Sequence, residues 1–465
     1  MNNIFPEIIL TLFALGALLG GVFFPNKKIL GIFAFFGVVI SAIFLPISSE
    51  TGTFFFSGML INDGFSVFFR AVILLISTLV ILFSIGYKDL KEDAGEYYFF
   101  VLSVTVSMLL AVASNNLMMI YIALEGISIL SYIMAGYLKR DIFSSEAGIK
   151  YFLFGAVSTG VTLYGVSLIY GLFGTLDLSL ITEQLKMHSI NQPALFLSLI
   201  LVLAGFSFKC SLVPFHMWTP DVYQGAPTPV AALFSVGPKA VGFAFLLRIF
   251  VLTFPGNNMP WVTVMGIMAI LTMTIGNVMA VQQNNIKRLL AYSTIAQAGY
   301  ILAGFVVATP AGIEASLFYI FVYSLMNLGA FGAVIMVSNA LGSETIEHYS
   351  GLYKKDPLSA VVLAICLLSL AGVPPLAGFL AKFFILWAAI QINFTVLAIF
   401  IVVNSVIAFY YYVKIIKFMF LEDSKEPYIF QKTPAIALGL VFILVANILF
   451  GLWPHPILEW LSGLL

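Results

Sequence analysis

The sequence is short of charged residues. Only 9% of its 465 residues are Asp, Glu, Lys or Arg, against about 25% in a typical soluble domain, and 61% are hydrophobic. A surface with so little charge could not stay in water, so we predict a polytopic membrane protein. The 21 basic and 21 acidic residues balance, which excludes the basic surface that a nucleic-acid-binding protein needs.

Cysteines and nucleotide-binding motifs are also scarce. The two cysteines, Cys210 and Cys366, lie inside apolar runs, which excludes a disulfide framework and a cysteine-ligated zinc or iron–sulfur site. The sequence has no GxGxxG opening a βαβ unit, no Walker motif and no histidine cluster for haem or metal. We therefore expect no cofactor and no metal in this chain. Energy for transport would come from an ion gradient or a partner subunit.

Long apolar runs fill most of the chain instead. A membrane-spanning helix needs about 20 mostly apolar residues, and a helix satisfies its own backbone hydrogen bonds in lipid. This criterion predicts fourteen spans, at residues 3–24, 28–47, 65–87, 97–114, 116–138, 147–174, 194–218, 227–254, 260–282, 288–308, 313–340, 358–390, 395–418 and 434–454. The predicted fold is an all-α polytopic membrane protein.

Basic residues alternate between the loops that join these spans. Loops after odd-numbered spans hold Lys27, Lys28, Lys88, Lys91, Lys139, Arg140, Lys287, Arg288, Lys354, Lys355, Lys414, Lys417, Lys425 and Lys432. Loops after even-numbered spans hold only Lys186. The positive-inside rule then places the odd loops in the cytoplasm and both termini outside, which is the periplasm in a Gram-negative cell.

Three lysines lie deep inside predicted spans: Lys209, Lys239 and Lys382. Burial of a charge at mid-membrane costs roughly 3 kcal/mol, and the spans hold one carboxylate at comparable depth, Glu125. One acid cannot neutralise three lysines. Because a low dielectric disfavours the charged form of an amine, we predict that the three lysines form a proton relay. The alternative is a set of permanently paired charges that pin helices together.

Other titratable residues near the spans have less certain roles. Arg70 and Arg248 lie near span ends, where long side chains extend to the membrane surface. Lys150, near the start of the sixth span, fits that role and a relay role equally well. His216 follows Lys209 by seven residues, on the same face of an unbroken helix. It is either a proton shuttle, since histidine titrates near neutrality, or an interfacial residue.

Prolines interrupt two spans beside these lysines. Pro214 follows Lys209 in the seventh span, and "SLAGVPPLAGFLAKFF" places Pro374 and Pro375 before Lys382 in the twelfth. Proline removes a helix hydrogen bond, and a break at mid-membrane is tolerated where protein or water covers the freed backbone. In transporters such broken helices mark the ion path.

The two broken helices occupy matching places in the chain. Each is the fourth helix of a five-span block, and the blocks, 97–254 and 260–418, have about the same length. An odd number of spans per block makes the two copies inverted repeats. Helices 1–3 precede them in 1–96, and a loop and helix 14 follow in 419–465. Polar residues inside the spans could carry a water wire: Ser235, Ser293, Thr294, Gln297, Tyr323, Ser324, Asn327, Asn404 and Ser405.

The stretch "PFHMWTPDVYQGAPTPVAALFSVGPKAVGF", residues 214–243, resembles the signature of the antiporter-like subunits of respiratory complex I, and most of all subunit N of the bacterial enzymes. The resemblance implies roles for single residues: Glu125 is the glutamate of the fifth span, Lys209 its partner on the broken seventh, Lys239 the linking residue of the eighth, and Lys150 a lysine of the sixth span in subunit N. Lys382 stands where subunit M has glutamate. A chain ending soon after span 14 is not expected to be subunit L, which carries a long lateral helix.

The resemblance also implies a mechanism. Electrons would pass from NADH to quinone in other subunits, which hold FMN and iron–sulfur clusters. The Glu125–Lys209 ion pair would open and close, and a proton would move to Lys239, then Lys382, then outside. Subunits K and M and the bilayer of the bacterial inner membrane would be the partners. Three alternatives stay open: a multisubunit cation/proton antiporter, a structural subunit that pumps nothing, and a ferredoxin- or F420-linked relative.

Overall fold

Helices form nearly all of the chain in a computed structural model, which describes residues 2–24, 27–45, 52–90, 94–187, 191–254, 260–423 and 433–464. Three of the basic loop residues, Lys91, Lys425 and Lys432, lie outside these ranges. The first ten helices are α1 (Phe5–Phe23), α2 (Lys27–Phe44), α3 (Gly64–Ile85), α4 (Ala94–Val112), α5 (Leu117–Ala135), α6 (Ile142–Phe173), α7 (Leu178–Met187), α8 (Gln192–Cys210), α9 (Trp218–Gly225) and α10 (Thr228–Phe245). A π-helical segment, Leu246–Thr253, continues α10.

The second half is built in the same way. Its helices are α11 (Pro260–Val281), α12 (Ile286–Val307), α13 (Pro310–Leu341), α14 (Leu352–Lys355), α15 (Pro357–Ala371), α16 (Ala377–Gln391), α17 (Thr395–Leu421), α18 (Pro434–Leu452) and α19 (His455–Ser462). Short 3-10 turns lie at Asn2–Ile4, Lys88–Leu90 and Ile346–Tyr349. One antiparallel hairpin pairs β1 (Thr53–Phe55) with β2 (Leu60–Asn62), with Phe54 opposite Ile61.

The helices confirm the predicted membrane fold. Among the described residues, twelve helices are long and apolar enough to cross a bilayer, counting α10 with its π-helical continuation as one. The shorter apolar helix α2 and the pair α15–α16 supply two more, which makes the fourteen spans expected. The division into inverted blocks 97–254 and 260–418 stays a prediction; the first of these boundaries falls just inside α4.

Both predicted helix breaks are present. The first half of the seventh span, α8, ends at Cys210, and the next residue, Ser211, has a positive φ of 58°. The second half is α9. The twelfth span stops at Gly372, with a φ of 90°, and resumes as α16. Protein groups accept the freed backbone N–H groups: Val213 N donates to Thr272 Oγ1 at 3.0 Å, and Gly378 N donates to Ser369 Oγ at 3.0 Å. The breaks are therefore satisfied inside the protein, as lipid requires.

Three helices, α10, α12 and α13, are fully buried over the 18-residue stretch of each that is most apolar, and they form the centre of the bundle. The outer helices, such as α1, α6 and α18, expose apolar side chains along one side. Most of the polar residues predicted for a water wire lie on the three central helices. Burial in the bundle keeps those polar groups away from lipid, where unsatisfied hydrogen-bonding groups are costly.

The prediction that Arg70 and Arg248 extend to the membrane surface is wrong. Arg70 is fully buried and lies 3.0 Å from Glu7 of α1, while Arg248 makes a bidentate pair with Asp63, both N–O distances being 3.0 Å. A carboxylate within reach offsets the cost of burying a guanidinium. The two pairs tie α1 to α3, and α3 to the π-helical segment. Asp63 also caps α3 by accepting from Ser66 N at 2.8 Å.

Candidate functional site

The three lysines predicted to form a relay are all buried inside the bundle. The side chains of Lys209, Lys239 and Lys382 are 6%, 2% and 6% exposed. In the part of the chain that the structure describes, no carboxylate oxygen lies within 4.0 Å of any of the three ammonium groups. Permanent ion pairs therefore do not account for these lysines.

Lys209 and Glu125 face each other without forming an ion pair. The ammonium of Lys209, at the end of α8, donates to Ser128 Oγ at 2.6 Å. Glu125 lies one turn before Ser128 on α5. Its carboxylate is half-buried and accepts a hydrogen bond from Thr159 Oγ1 of α6 at 2.8 Å. The two charges remain within electrostatic reach. Hydroxyl groups thus hold an arrangement in which the pair is open.

Aromatic rings enclose the ammonium of Lys209. The ring centroids of Phe208, Tyr132 and Tyr151 lie 5.7, 5.8 and 6.0 Å from Nζ. Trp218 of α9 stacks on Tyr151 at 4.3 Å and donates its indole N–H to Phe208 O at 3.1 Å. Ring faces attract a cation, so this cage stabilises a charged amine that has lost its carboxylate. The break in the seventh span supplies the tryptophan that completes it.

The second lysine lies just across a close helix contact. A Cβ built on Gly242 of α10 would lie 2.6 Å from Cys210 Sγ and 3.4 Å from Lys209 Cβ, so only glycine permits this approach of α8 to α10. The ammonium of Lys239, also on α10, donates to Thr294 O at 3.4 Å. His216 lies in the break, buried, with no hydrogen-bond partner for Nδ1 among the described residues, and within electrostatic reach of Lys239.

Polar contacts tie α10 to α13 one turn before the second lysine. Asn327 Nδ2 donates to Ser235 Oγ at 2.6 Å, and the Tyr323 hydroxyl donates to Ser235 O at 2.9 Å. Ser324 instead donates within its own helix, to Ile320 O at 2.7 Å. Two of the three water-wire residues predicted on α13 therefore face the relay.

A buried network of amide and hydroxyl groups lies between the second and third lysines. On α12, Gln297 Nε2 donates to Leu370 O at 3.0 Å and to the Tyr412 hydroxyl at 3.4 Å. The Tyr319 hydroxyl donates to Gln297 Oε1, and the hydroxyls of Ser293 and Tyr412 share a hydrogen bond. These contacts join α12, α13, α15 and α17 around one amide.

Tyr300 continues this network to the third lysine. Its ring centroid lies 4.4 Å from Lys382 Nζ and 6.3 Å from the stacked ring of Tyr319. Its hydroxyl accepts from Asn277 Nδ2 at 3.4 Å and from Ser405 Oγ at 3.5 Å. Lys382 itself donates to the carbonyl oxygen of Ala371, the last residue of α15, at 3.0 Å. The freed carbonyl of the second break thus binds the lysine that follows it.

Lys150 lies apart from the three buried lysines. Its side chain, 37% exposed, pairs with Glu146 at 2.7 Å and with Asp221 of α9 at 2.6 Å. Arg288 of α12 binds the other oxygen of Asp221 at 2.6 Å. Burial raises the pKa of Asp221, but the hydrogen bonds from Lys150 and Arg288 outweigh it and hold that pKa below its ordinary value. Asp221, on the second half of the broken seventh span, therefore contacts α6 of the first predicted block and α12 of the second.

A polar cavity of about 590 Å³ lies at the end of the bundle where α10 and α12 begin. The predicted orientation makes this the cytoplasmic end. Lys287 lies in its wall, pairing with Glu344 at 2.8 Å and donating to Ala226 O at 2.8 Å. The other charged lining residues are Lys88, Asp89 and Asp141. The cavity therefore reaches the beginning of α10, the helix that carries Lys239.

Several residues of this candidate site were not predicted from the sequence. Ser128 follows Glu125 by three residues and so shares its helix face, a signal that spacing contains. Asp221 lies inside the signature stretch, but nothing in the sequence indicates its two partners. Thr159 and Tyr319 have no local signal, because ordinary membrane helices contain such residues as packing contacts.

Comparison with known proteins identifies the family of this chain. The family described as "NADH:quinone oxidoreductase/Mrp antiporter, TM" matches residues 114–408, more than half of the chain. The chain belongs to this family. Over 466 residues it is 41% identical to the "NADH-quinone oxidoreductase subunit N" of Trichlorobacter lovleyi, covering 99% of this chain and 96% of that protein.

Chains of two solved membrane complexes share the fold. A chain of "Respiratory complex I from Thermus thermophilus with bound Aureothin" superposes with a TM-score of 0.83 at 30% identity, covering 98% of both chains. A chain of the Mrp complex from a Dietzia species superposes with a TM-score of 0.85 at 22% identity, covering 98% of this chain and 96% of that one; this shows the fold alone. The predicted resemblance to the antiporter-like subunits is confirmed.

Among the described residues, no group of three or more His, Cys, Asp and Glu could hold a metal ion.

Proposed function

We propose that this chain is a proton-translocating membrane-arm subunit of an NADH–quinone oxidoreductase. Redox energy released in other subunits drives protons through Glu125, Lys209, Lys239 and Lys382. One observation carries the proposal: among the described residues three buried lysines have no carboxylate partner, and a buried network of amide and hydroxyl groups lies between Lys239 and Lys382. A structural role explains neither feature, because unpaired buried amines destabilise a membrane protein.

The open pair supports the first step. When Glu125 contacts Lys209, its charge favours the protonated amine. When Glu125 turns to Thr159, as in the structure, Lys209 keeps only the Ser128 hydroxyl and the surrounding rings as partners. Loss of the carboxylate makes release of the proton easier. The proton then moves from Lys209 Nζ to Lys239 Nζ across the contact at Gly242, with bound water completing the path.

The network around Gln297 supports the second step. Hydroxyl groups of Tyr319, Tyr412 and Ser293 can each accept one proton and pass on another, so a proton from Lys239 reaches the neighbourhood of Lys382 without free diffusion. Entry follows the polar cavity at the cytoplasmic end, and His216, which lies in the break of the seventh span, serves as a shuttle. Exit from Lys382 is to the outside.

Lys150 has a different role in this scheme. Its ammonium pairs with Glu146 and with Asp221 of α9. The pair with Asp221 holds α9 in position, and α9 in turn positions Trp218, which packs on Phe208 next to Lys209. A change in that contact alters the surroundings of Lys209 without passing a proton itself. Lys150 therefore belongs to the site as a positioning residue.

The setting proposed for the chain follows from its relatives. Its partners are other membrane subunits of the complex, in particular K and M, and the bilayer of the bacterial inner membrane, with both termini in the periplasm. NADH, FMN, iron–sulfur clusters and quinone bind to partner subunits. The relative from Trichlorobacter lovleyi is named for the same NADH–quinone reaction.

The direct test replaces Lys209 or Glu125 by alanine in the assembled complex. Proton uptake by proteoliposomes, divided by the rate of NADH oxidation, is expected to fall sharply in both variants. Lys354→Ala is the control, since that lysine is 72% exposed and pairs only with Asp423 at the surface. Unchanged proton uptake in K209A and E125A would remove the assignment.

The second candidate is a subunit of a multisubunit cation/proton antiporter, because the family includes Mrp proteins and the Mrp chain has the same fold. Purification of the native complex separates the two. Flavin and iron–sulfur subunits that co-purify support the oxidoreductase, whereas sodium-driven proton exchange without them supports the antiporter. If lysine-to-methionine changes at 209, 239 and 382 leave transport intact, the chain is structural.

A further inference from the structure

A second cavity, of about 330 Å³, opens beside Lys382 between α16 and α17. Its mouth is formed by apolar side chains on the outer face of the bundle: Phe383, Val402, Val406 and Phe409 are between 43% and 68% exposed. In a membrane this face contacts lipid. The cavity therefore connects the hydrocarbon region of the bilayer to the third lysine of the relay.

The inner end of this cavity is polar. Lys382 and Ser405 supply its polar side chains, and the break between α15 and α16 supplies backbone from Ala371 to Val373. A lysine ammonium has three N–H donors, and Lys382 donates to one acceptor among the described residues, the oxygen of Ala371. The ring of Tyr300 covers one side of the ammonium. Once protonated, the amine therefore has unused donors and, among the described residues, no counter-ion at the end of an apolar passage.

We propose that this cavity binds a fatty acid, with the carboxylate at Lys382 and the tail against the apolar mouth. The volume and the combination of an apolar wall with few polar groups are typical of ligand sites, which measure about 300–1,000 Å³. The charge also matches, because an acid is the partner that Lys382 lacks. The neutral acid enters from the bilayer and transfers its proton to the Lys382 amine. Carboxylate and ammonium then form together, and no net charge crosses the hydrocarbon region.

A bound acid would stop the relay at its last member. An ammonium paired with a carboxylate retains its proton more strongly than one beside a carbonyl and a ring. Proton exit from Lys382 would slow, and NADH oxidation in a tightly coupled complex would slow with it. This inhibition rests on the proposed function, whereas the binding of the acid does not.

Binding is tested with the intact complex in lipid nanodiscs and a photoreactive dodecanoic acid, compared with the photoreactive dodecanol of equal length. Mass spectrometry of the peptides is expected to show labelling of α16 and α17 by the acid in clear excess over the alcohol. Val402→Trp fills the mouth and is expected to reduce acid labelling about tenfold, since loss of space for two methylenes costs that much affinity.

Val403→Trp is the matched control for this change. Val403 is 49% exposed on the same helix, as Val402 is, but does not line the cavity. Val406→Trp is a second cavity-filling variant, used if V402W does not assemble. Equal labelling by acid and alcohol, or equal labelling of the cavity-filling and control variants, would overturn the site.

Inhibition is tested separately by NADH oxidation in proteoliposomes that contain an uncoupler, so that the protonophore action of the acid itself has no effect. Dodecanoic acid is expected to slow the wild type and V403W, while V402W keeps most of its own uninhibited rate. If labelling is as expected and oxidation is not slowed, the site stands, and the role of Lys382 in proton exit is refuted.

Discussion

Replacing Thr159 by valine tests whether hydroxyl groups hold the Glu125–Lys209 pair open. The Thr159 hydroxyl donates to Glu125 Oε1 at 2.8 Å, while Lys209 binds Ser128 at 2.6 Å. Valine has nearly the shape of threonine without the hydroxyl. The variant therefore removes one contact of the open arrangement and leaves the helix packing in place. Glu125 is then expected to turn back to Lys209.

The size of the effect follows from the contact that is lost. A hydrogen bond to a charged group contributes about 1.5–3 kcal/mol, and each 1.4 kcal/mol is a factor of ten in an equilibrium constant. Because the Glu125 carboxylate is half-buried, water replaces part of the contact, and the lower end of the range applies. T159V is expected to shift the equilibrium about tenfold toward the closed pair. Lys209 then stays protonated for longer, and proton transfer to Lys239 slows.

The assay is proton uptake and NADH oxidation by the reconstituted complex. Both rates are expected to fall several-fold in T159V. Thr162→Val is the control, one turn further along α6, where the hydroxyl donates only to Ser158 O of its own helix at 2.8 Å. If T159V and T162V have the same rates, the hydroxyl does not hold the pair open and the reasoning is refuted.

Three further predictions concern stability and assembly. Asp221→Asn should lower the unfolding temperature of the complex at pH 7, and the difference from the wild type should shrink as the pH falls below about 3.9. The depressed pKa of this carboxylate means that its stabilisation is fully present above the ordinary value and is lost as the pH falls through the lower native value. Glu7→Gln removes the carboxylate that pairs with the buried Arg70 and should cost about 3–5 kcal/mol in unfolding free energy, whereas E7L/R70L should recover most of it; equal losses would contradict this account. Gly378→Ala should prevent assembly, because its Cβ would lie 2.0 Å from a carbonyl oxygen, while Gly171→Ala, with nothing within 4 Å, should assemble normally in a pull-down of the complex.

Reasoning from the sequence was most successful where a feature is local. A run of apolar residues predicts a span, and a proline inside it predicts a break, because the hydrocarbon region imposes both rules on each segment separately. Lys209, Lys239 and Lys382 stand out for the same reason, since a charge in such a run is costly wherever the helix packs. The structure agrees on the fourteen spans, the two breaks and the burial of the three lysines.

The partners of the charged residues could not be predicted from local sequence patterns. Arg70 and Arg248 were expected to extend toward the surface, but Glu7 and Asp63 come from other elements and bury them. The sequence left two roles open for Lys150 and did not indicate that Asp221 of the broken helix lies 2.6 Å from its ammonium. In each case the deciding residue is distant in the sequence, so no window along the chain contains the answer.

The sequence by itself determined that this is a bundle of membrane helices with unpaired buried amines beside two interrupted spans, because hydrophobicity and backbone satisfaction act on each segment alone. The tertiary structure alone decided that the Glu125–Lys209 pair is open, that the contacts of Gln297 and Tyr300 lie between the second lysine and the third, and that a cavity with an apolar mouth reaches Lys382. Those facts depend on distances of a few ångströms between helices far apart in the chain. Only the packing of the whole bundle sets such distances.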